Sequence, residues 1–145
     1  MGHYTKSNFS LTRSIGFQLN RARNALILQI DVALQELDVT AQQIGILTAL
    51  HQGIASTPFE LCKLLAMDTG LMTRMLDKLE TRGLLERSRS VEDRRVVNLA
   101  ITAKGHEVAE RIPDLVLPVL NHKLRDFTDA EFHEFLRLLS KFNDA

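Results

Sequence analysis

Apolar residues recur along this chain with two periods, and the change of period marks its parts. Leu11, Ile15, Leu19, Ala22, Leu26, Ile30, Ala33 and Leu37 follow one another at steps of four and three, the spacing of one helical face. A single helix over 11–37 is therefore expected, and Ile27, Leu28, Val32 and Leu34 widen its stripe beyond what one neighbour covers. Three shorter helices follow, each with a local start signal. Thr40 with Gln43 makes a capping box, flanked by Val39 and Ile44 at staple positions, and opens a helix over 40–52 that Gly53 stops. Thr57, Pro58 and Glu60 open a short helix over 58–66, with proline where its missing N–H costs nothing. Asp68 caps a third helix ending at Gly83, with Met67 and Met72 at staple spacing. The period then drops to two: Val97, Leu99 and Ile101 alternate with Asn98 and Ala100 as in a strand. Residues 84–88 supply its antiparallel partner, and 89–94 the hairpin tip. A helix from Thr102 runs past Leu120, disturbed at Pro113 and Pro118. Thr128 and Glu131 cap a last helix with Phe132, Phe135, Leu136, Leu139 and Phe142 on one face.

Short helix, turn, second helix and two-stranded hairpin, in that order, make a winged helix-turn-helix. The expected class is mainly α with a small β-hairpin wing. It forms a single unit over 1–145, with a lobe over about 38–101 and flanking helices over about 9–37 and 102–145. No internal repeat, low-complexity tract or linker interrupts it.

Composition changes the picture little, and charge distribution changes it more. The chain has 145 residues, 45% apolar and 25% charged, ordinary values for a folded domain. Lys and Arg balance Asp and Glu at 18 each, so no overall basic excess advertises nucleic acid. The basic residues gather instead in the middle, at Arg74, Lys78, Arg82, Arg87, Arg89, Arg94 and Arg95. The first nine residues are polar and no apolar run approaches the roughly 20 residues of a membrane-spanning helix. One thiol, Cys62, cannot form an internal disulfide. A cytoplasmic protein without membrane contact is expected.

The helix over 69–82 carries the candidate chemistry. Leu71, Met72, Met75, Leu76 and Leu79 form an inner face; Thr69, Gly70, Thr73, Arg74, Asp77, Lys78 and Thr81 form a polar stripe opposite. Arg74 can reach a guanine edge or a phosphate, and the Thr73 methyl can pack on a thymine methyl. Taken alone, that helix equally suits a solvated amphipathic surface. The hairpin decides between them, because Asp93-Arg94-Arg95 sets two guanidinium groups at its tip, fit for the negative potential of a narrow minor groove. Asp93 suits orienting one arginine rather than touching phosphate, and Arg89 flanks them.

The run Asp93-Arg94-Arg95, five residues, then Ile101-Thr102-Ala103-Lys104-Gly105 resembles the wing signature of the MarR (multiple antibiotic resistance regulator) family. The stretch from Met72-Thr73-Arg74-Met75 to Gly83-Leu84-Leu85-Glu86-Arg87 is similar to that family's recognition helix and first wing strand. The resemblance covers nearly the whole chain. It implies a bacterial homodimeric regulator, usually a repressor, whose first, fifth and sixth helices interleave between subunits. It implies Arg94 and Arg95 as candidates for minor-groove entry, with Asp93 orienting one. It further implies a near-palindromic operator in double-stranded DNA and a small aromatic or phenolic effector; Arg21 and Arg23 on the first helix are candidates to pair with such an anion, or else surface or inter-subunit salt-bridge residues. Dimerisation has a separate motive: the terminal helices carry more apolar surface than one small domain hides.

Two alternatives stand beside this reading. One is a winged-helix module for protein docking, which need not keep a basic wing. The other is an oxidant-responsive regulator using Cys62, against which its place among Leu61, Leu64 and Leu65 suggests a small buried hydrophobe. His3, His51, His106, His122 and His133 lack the spacing of a zinc site, and His106 with Glu110 offers two ligands at most. No metal, cofactor or catalytic residue is expected: no phosphate-cradling glycine loop or nucleophile with a base is visible.

Overall fold

A computed structural model describes residues 2–145. Helices α1 (Ile15–Ala33), α2 (Ala41–His51), α3 (Pro58–Leu65) and α4 (Thr69–Thr81) precede strands β1 (Leu85–Arg89) and β2 (Val97–Ile101), and α5 (Ala103–Leu124) and α6 (Asp129–Asn143) complete the order. It is the mainly α, winged helix-turn-helix architecture that the periodicity predicts.

The caps explain where the helices begin. Gln43 Oε1 accepts from the Thr40 N–H at 3.1 Å, and Thr57, Asp68, Thr102 and Thr128 side chains each accept from an N–H three residues on. Each removes one of the unpaired donors of a first turn. Gly53 and Gly83, at φ 69° and 72°, end α2 and α4 in the left-handed region.

The long first helix is shorter than expected. Residues Leu11–Arg13 and Gln35–Leu37 form 3₁₀ turns, and only 15–33 is α-helical. Ser14 breaks in at the front by accepting from Phe17 N at 3.2 Å, and Asp38 turns left-handed (φ 53°) at the rear. In α5 the opposite happens: the helix runs unbroken through Pro113 and Pro118. Both prolines are exposed, and each removes only the one N–H that would have met the carbonyl four residues back, on Ala109 and Asp114.

One core joins the lobe to α1 and α5. Ile46, Leu47, Leu61, Met72, Leu76, Leu79, Leu84 and Leu85 are buried in it beside Leu34 of the α1–α2 turn and Ala109, Ile112 and Val116 of α5. Each large apolar side chain contributes up to about 1.5–3 kcal/mol by burial. The hairpin pairs Leu85 with Ile101 and Arg89 with Val97. Its outer strand gains a further bond, Leu99 N to Ser56 O at 2.8 Å, which docks the wing on the segment before α3. By contrast α6 has no buried residue. Among the described residues no helix is long and apolar enough to cross a membrane.

Candidate nucleic-acid interface

The amphipathic split of α4 is as the sequence predicts. Met72, Met75, Leu76 and Leu79 are buried, Leu71 is half-buried, and Thr69, Gly70, Thr73, Arg74, Asp77, Lys78 and Thr81 are exposed. The Thr73 hydroxyl donates to Thr69 O at 2.9 Å, so its methyl is the group left to meet a base. At Gly70 a Cβ would stand 3.7 Å from Arg74 Nη1; the guanidinium lies along the helix surface towards its N-terminal turn. There it can reach a base edge or a phosphate.

Asp77 is engaged elsewhere. Its Oδ1 accepts from Arg87 Nη2 at 2.6 Å, and the same nitrogen donates to Glu80 Oε1 at 2.9 Å. Arg87 N donates to Glu80 Oε2 at 2.9 Å as well. One β1 arginine thus bridges two carboxylates, one turn apart on α4, and fixes the wing's first strand against the reading helix. The Arg87 guanidinium and backbone N–H hold the Glu80 carboxyl below its ordinary value, and Glu80 and Asp77 raise Arg87 in turn. Sequence reasoning places Arg87 only in the basic cluster. The acid pair at i and i+3, facing a strand that begins a few residues after the helix, is the signal available.

In the wing the tip is displaced. The ladder extends through Ser90 N to Val96 O at 2.9 Å, so the tip lies over 91–95 rather than 89–94, and it carries both Arg94 and Arg95. Asp93 Oδ1 accepts from Arg95 N at 3.0 Å and from Arg95 Nε at 3.2 Å. It therefore orients Arg95, whose side chain is 91% exposed; Arg94 is also exposed. The Arg95 backbone N–H first, and its guanidinium second, hold the Asp93 carboxyl below its usual value. Arg89 Nη1 donates to Arg94 O at 3.0 Å, bracing the loop from the strand.

The two effector candidates separate. Arg23 lines a groove of about 470 Å³ between α1, α2 and α4, together with Ile27, Asp31, Met75 and Lys78. Arg21 is exposed and outside it. Cys62 is half-buried and packed on the core. His106 meets His51 rather than a carboxylate, with Nδ1 atoms 2.8 Å apart. Among the described residues no group of three or more His, Cys, Asp or Glu side chains is placed to hold a metal ion.

A reading helix with one buried face, locked to an arginine-tipped hairpin, defines a winged-helix DNA-binding regulator. Comparison with known proteins narrows this. The family model described as MarR family matches residues 39–97. The multiple antibiotic resistance protein MarR of Escherichia coli is 36% identical over 109 residues, 74% of this chain and 76% of that one. The chain belongs to the MarR family and is, in kind, a DNA-binding transcriptional regulator. Its structure matches the crystal structure of a mutant E. coli MarR complexed with operator DNA at TM-score 0.79 and 29% identity, covering 92% of this chain and 99% of that one. Its fold also matches Bordetella bronchiseptica BpsR, whose DNA binding is described as regulated by 6-hydroxynicotinic acid (TM-score 0.84, 21% identity, 94% and 98% covered).

Proposed function

We propose that this protein acts in the bacterial cytoplasm as a homodimer that represses transcription from a near-palindromic operator. Thr69, Gly70, Thr73, Arg74 and Lys78 would face the major groove while Arg94 and Arg95 enter the minor groove. Asp77 supports that face through Arg87 rather than contacting DNA. The observation that carries the reading is the pairing of an exposed polar face on α4 with a wing whose Arg95 is already oriented by Asp93. Two copies would set their reading helices about one DNA turn, roughly 34–36 Å, apart.

A small aromatic or phenolic anion is proposed as the releasing ligand, held in the groove beside Arg23. That groove sits between the flanking helix α1 and the reading helix, with apolar Ile27 and Met75 for a ring and Arg23 and Lys78 for a carboxylate. Arg21 does not line it. The BpsR ligand is a compound of this class.

A gel-shift with duplexes selected from a randomised pool tests the DNA reading. Selection should converge on an inverted repeat, and Arg94→Ala with Arg95→Ala should abolish detectable binding at the concentration that saturates the parent while leaving the oligomeric state unchanged. Unaltered affinity in the double variant would overturn wing insertion. Addition of 6-hydroxynicotinate or salicylate should weaken the parent complex and not that of Arg23→Ala.

A further inference from the structure

The C-terminal end of α4 is fastened twice. The carbonyls of the C-cap and the turn that follows it meet the start of α5: Lys104 Nζ donates to Arg82 O at 3.1 Å, Thr102 Oγ1 to Gly83 O at 2.6 Å and Thr102 N to Leu84 O at 3.1 Å. The Arg82 side chain reaches a different part of the chain, the turn over 35–38 between α1 and α2. Its Nη1 donates to Asp38 O, its Nη2 donates to Leu37 O at 3.3 Å, and Asp38 Oδ2 stands 3.6 Å from Nη2.

That turn is built to be gripped. Asp38 is a non-glycine residue at φ 53°, and Leu37 beside it is buried. Two successive carbonyls therefore converge on one guanidinium, a match for a planar fork of donors that an ammonium group cannot make. The same turn is tied to α5 by the ion pair of Arg111 with Glu36. It is thus the common fastening point of α1, α4 and α5. Because Arg82 holds backbone oxygens, it registers where the turn lies, whatever side chains occupy it.

We propose that Arg82 is a positioning residue for operator recognition: it fixes the reading helix against the α1–α2 turn and so sets the half-site spacing that the dimer accepts, without reading a base. This rests on the dimeric, DNA-binding reading above. In a two-fold dimer joined through the flanking helices, the separation of the two reading helices depends on how each α4 sits on its own α1 and α5. Base pairs are spaced by about 3.4 Å and turned by about 34–36° (about 10–10.5 per turn), so accepting one pair more or less asks each subunit for a shift of roughly 1.7 Å and a rotation of about 17–18°. Arg87 sets the wing relative to α4; Arg82 sets α4 relative to the body.

The test uses the full-length protein and its selected operator, with identical half-sites moved apart or together by one and two base pairs. The parent should prefer one spacing, with displaced spacings weaker by about tenfold or more, of the order of a mismatched base pair. Arg82→Ala should keep the half-site sequence and the slope of affinity against salt, while the spacings converge to within about threefold of each other. Arg82→Lys, which keeps the charge and one donor, should fall between and stands in if the alanine variant does not fold. Parent-like spacing ratios in both variants would overturn the proposal. So would a salt slope reduced by about one per subunit, which marks a phosphate contact. A parent protein with no spacing preference at all would sink the dimeric reading first, visibly and before any variant is made.

Discussion

Asp93 binds Arg95 through both the backbone and the guanidinium, and that double grip distinguishes the two wing arginines. An arginine already held by a neighbouring carboxylate loses less freedom on entering a groove than one that is not. Arg95→Ala should therefore weaken operator binding more than Arg94→Ala, and Asp93→Ala should give a partial loss of about 3- to 10-fold with Arg95 still present. Fluorescence anisotropy titrations at fixed salt would show it, and equal losses for the two arginines would refute it. A second residue acts by having no side chain. A Cβ on Gly105 would collide with Leu84 O and come within 2.6 Å of Ile101 Cγ1. Gly105→Ala must push the first turn of α5 off the hairpin, an overpacking cost of about 1–3 kcal/mol that a urea melt would read as a lower midpoint.

Among the elements, α4 and the hairpin behave as one piece because Arg87 spans them. Arg87→Ala should lower operator affinity evenly across sequences, since it releases the strand without removing a base contact; a change in sequence preference would contradict this. Acid should have a related effect. Glu80 and Asp93 both have carboxyls depressed in the folded protein. The stability they contribute is present above their ordinary values of 4.5 and 3.8 and is lost as pH falls through the lowered ones. Thermal unfolding should be flat on their account above about pH 5 and decline below it; Glu80→Gln should remove part of that decline. The elements were legible where their signals are local. Thr40, Thr57, Asp68 and Thr128 announce helix starts because a cap needs only three following residues. Leu11 and Leu37 mislead because an apolar stripe does not distinguish 3₁₀ turns from α-helix. The wing tip shifts because register is set by the pairing of Leu85 with Ile101, which a single strand cannot display. Arg82 and Arg87 stand in the sequence only as members of a basic cluster, and their partners, 44 and 10 residues away, are fixed only by folding.

For the whole molecule, a neutral chain must bind a polyanion through a local excess of cations, so affinity should respond steeply to salt. If a dimer meets about 6–10 phosphates, affinity should fall by roughly 10³–10⁵ between 50 and 200 mM salt. The proposed dimer would account for the surface left over. No residue of helix α6 is fully buried: Phe135, Leu136, Leu138 and Phe142 on it are 46–55% exposed, and Leu117 of α5 is 51% exposed. Phe135 and Leu136 also line a groove of about 400 Å³ against α1 and α5 within the chain, so replacing them would disturb the subunit's own packing. Leu117 and Phe142 do not line that groove, which makes them the sharper probes. Leu117→Glu with Phe142→Glu should leave helical circular dichroism unchanged and convert the protein to a monomer in sedimentation. Losing the link between two half-sites should then cost about 10²- to 10⁴-fold in operator affinity, although no residue of α4 or the wing has been touched. A double variant that sediments as a dimer would place the subunit contact on another face, and the spacing argument for Arg82 would have to be rebuilt on it.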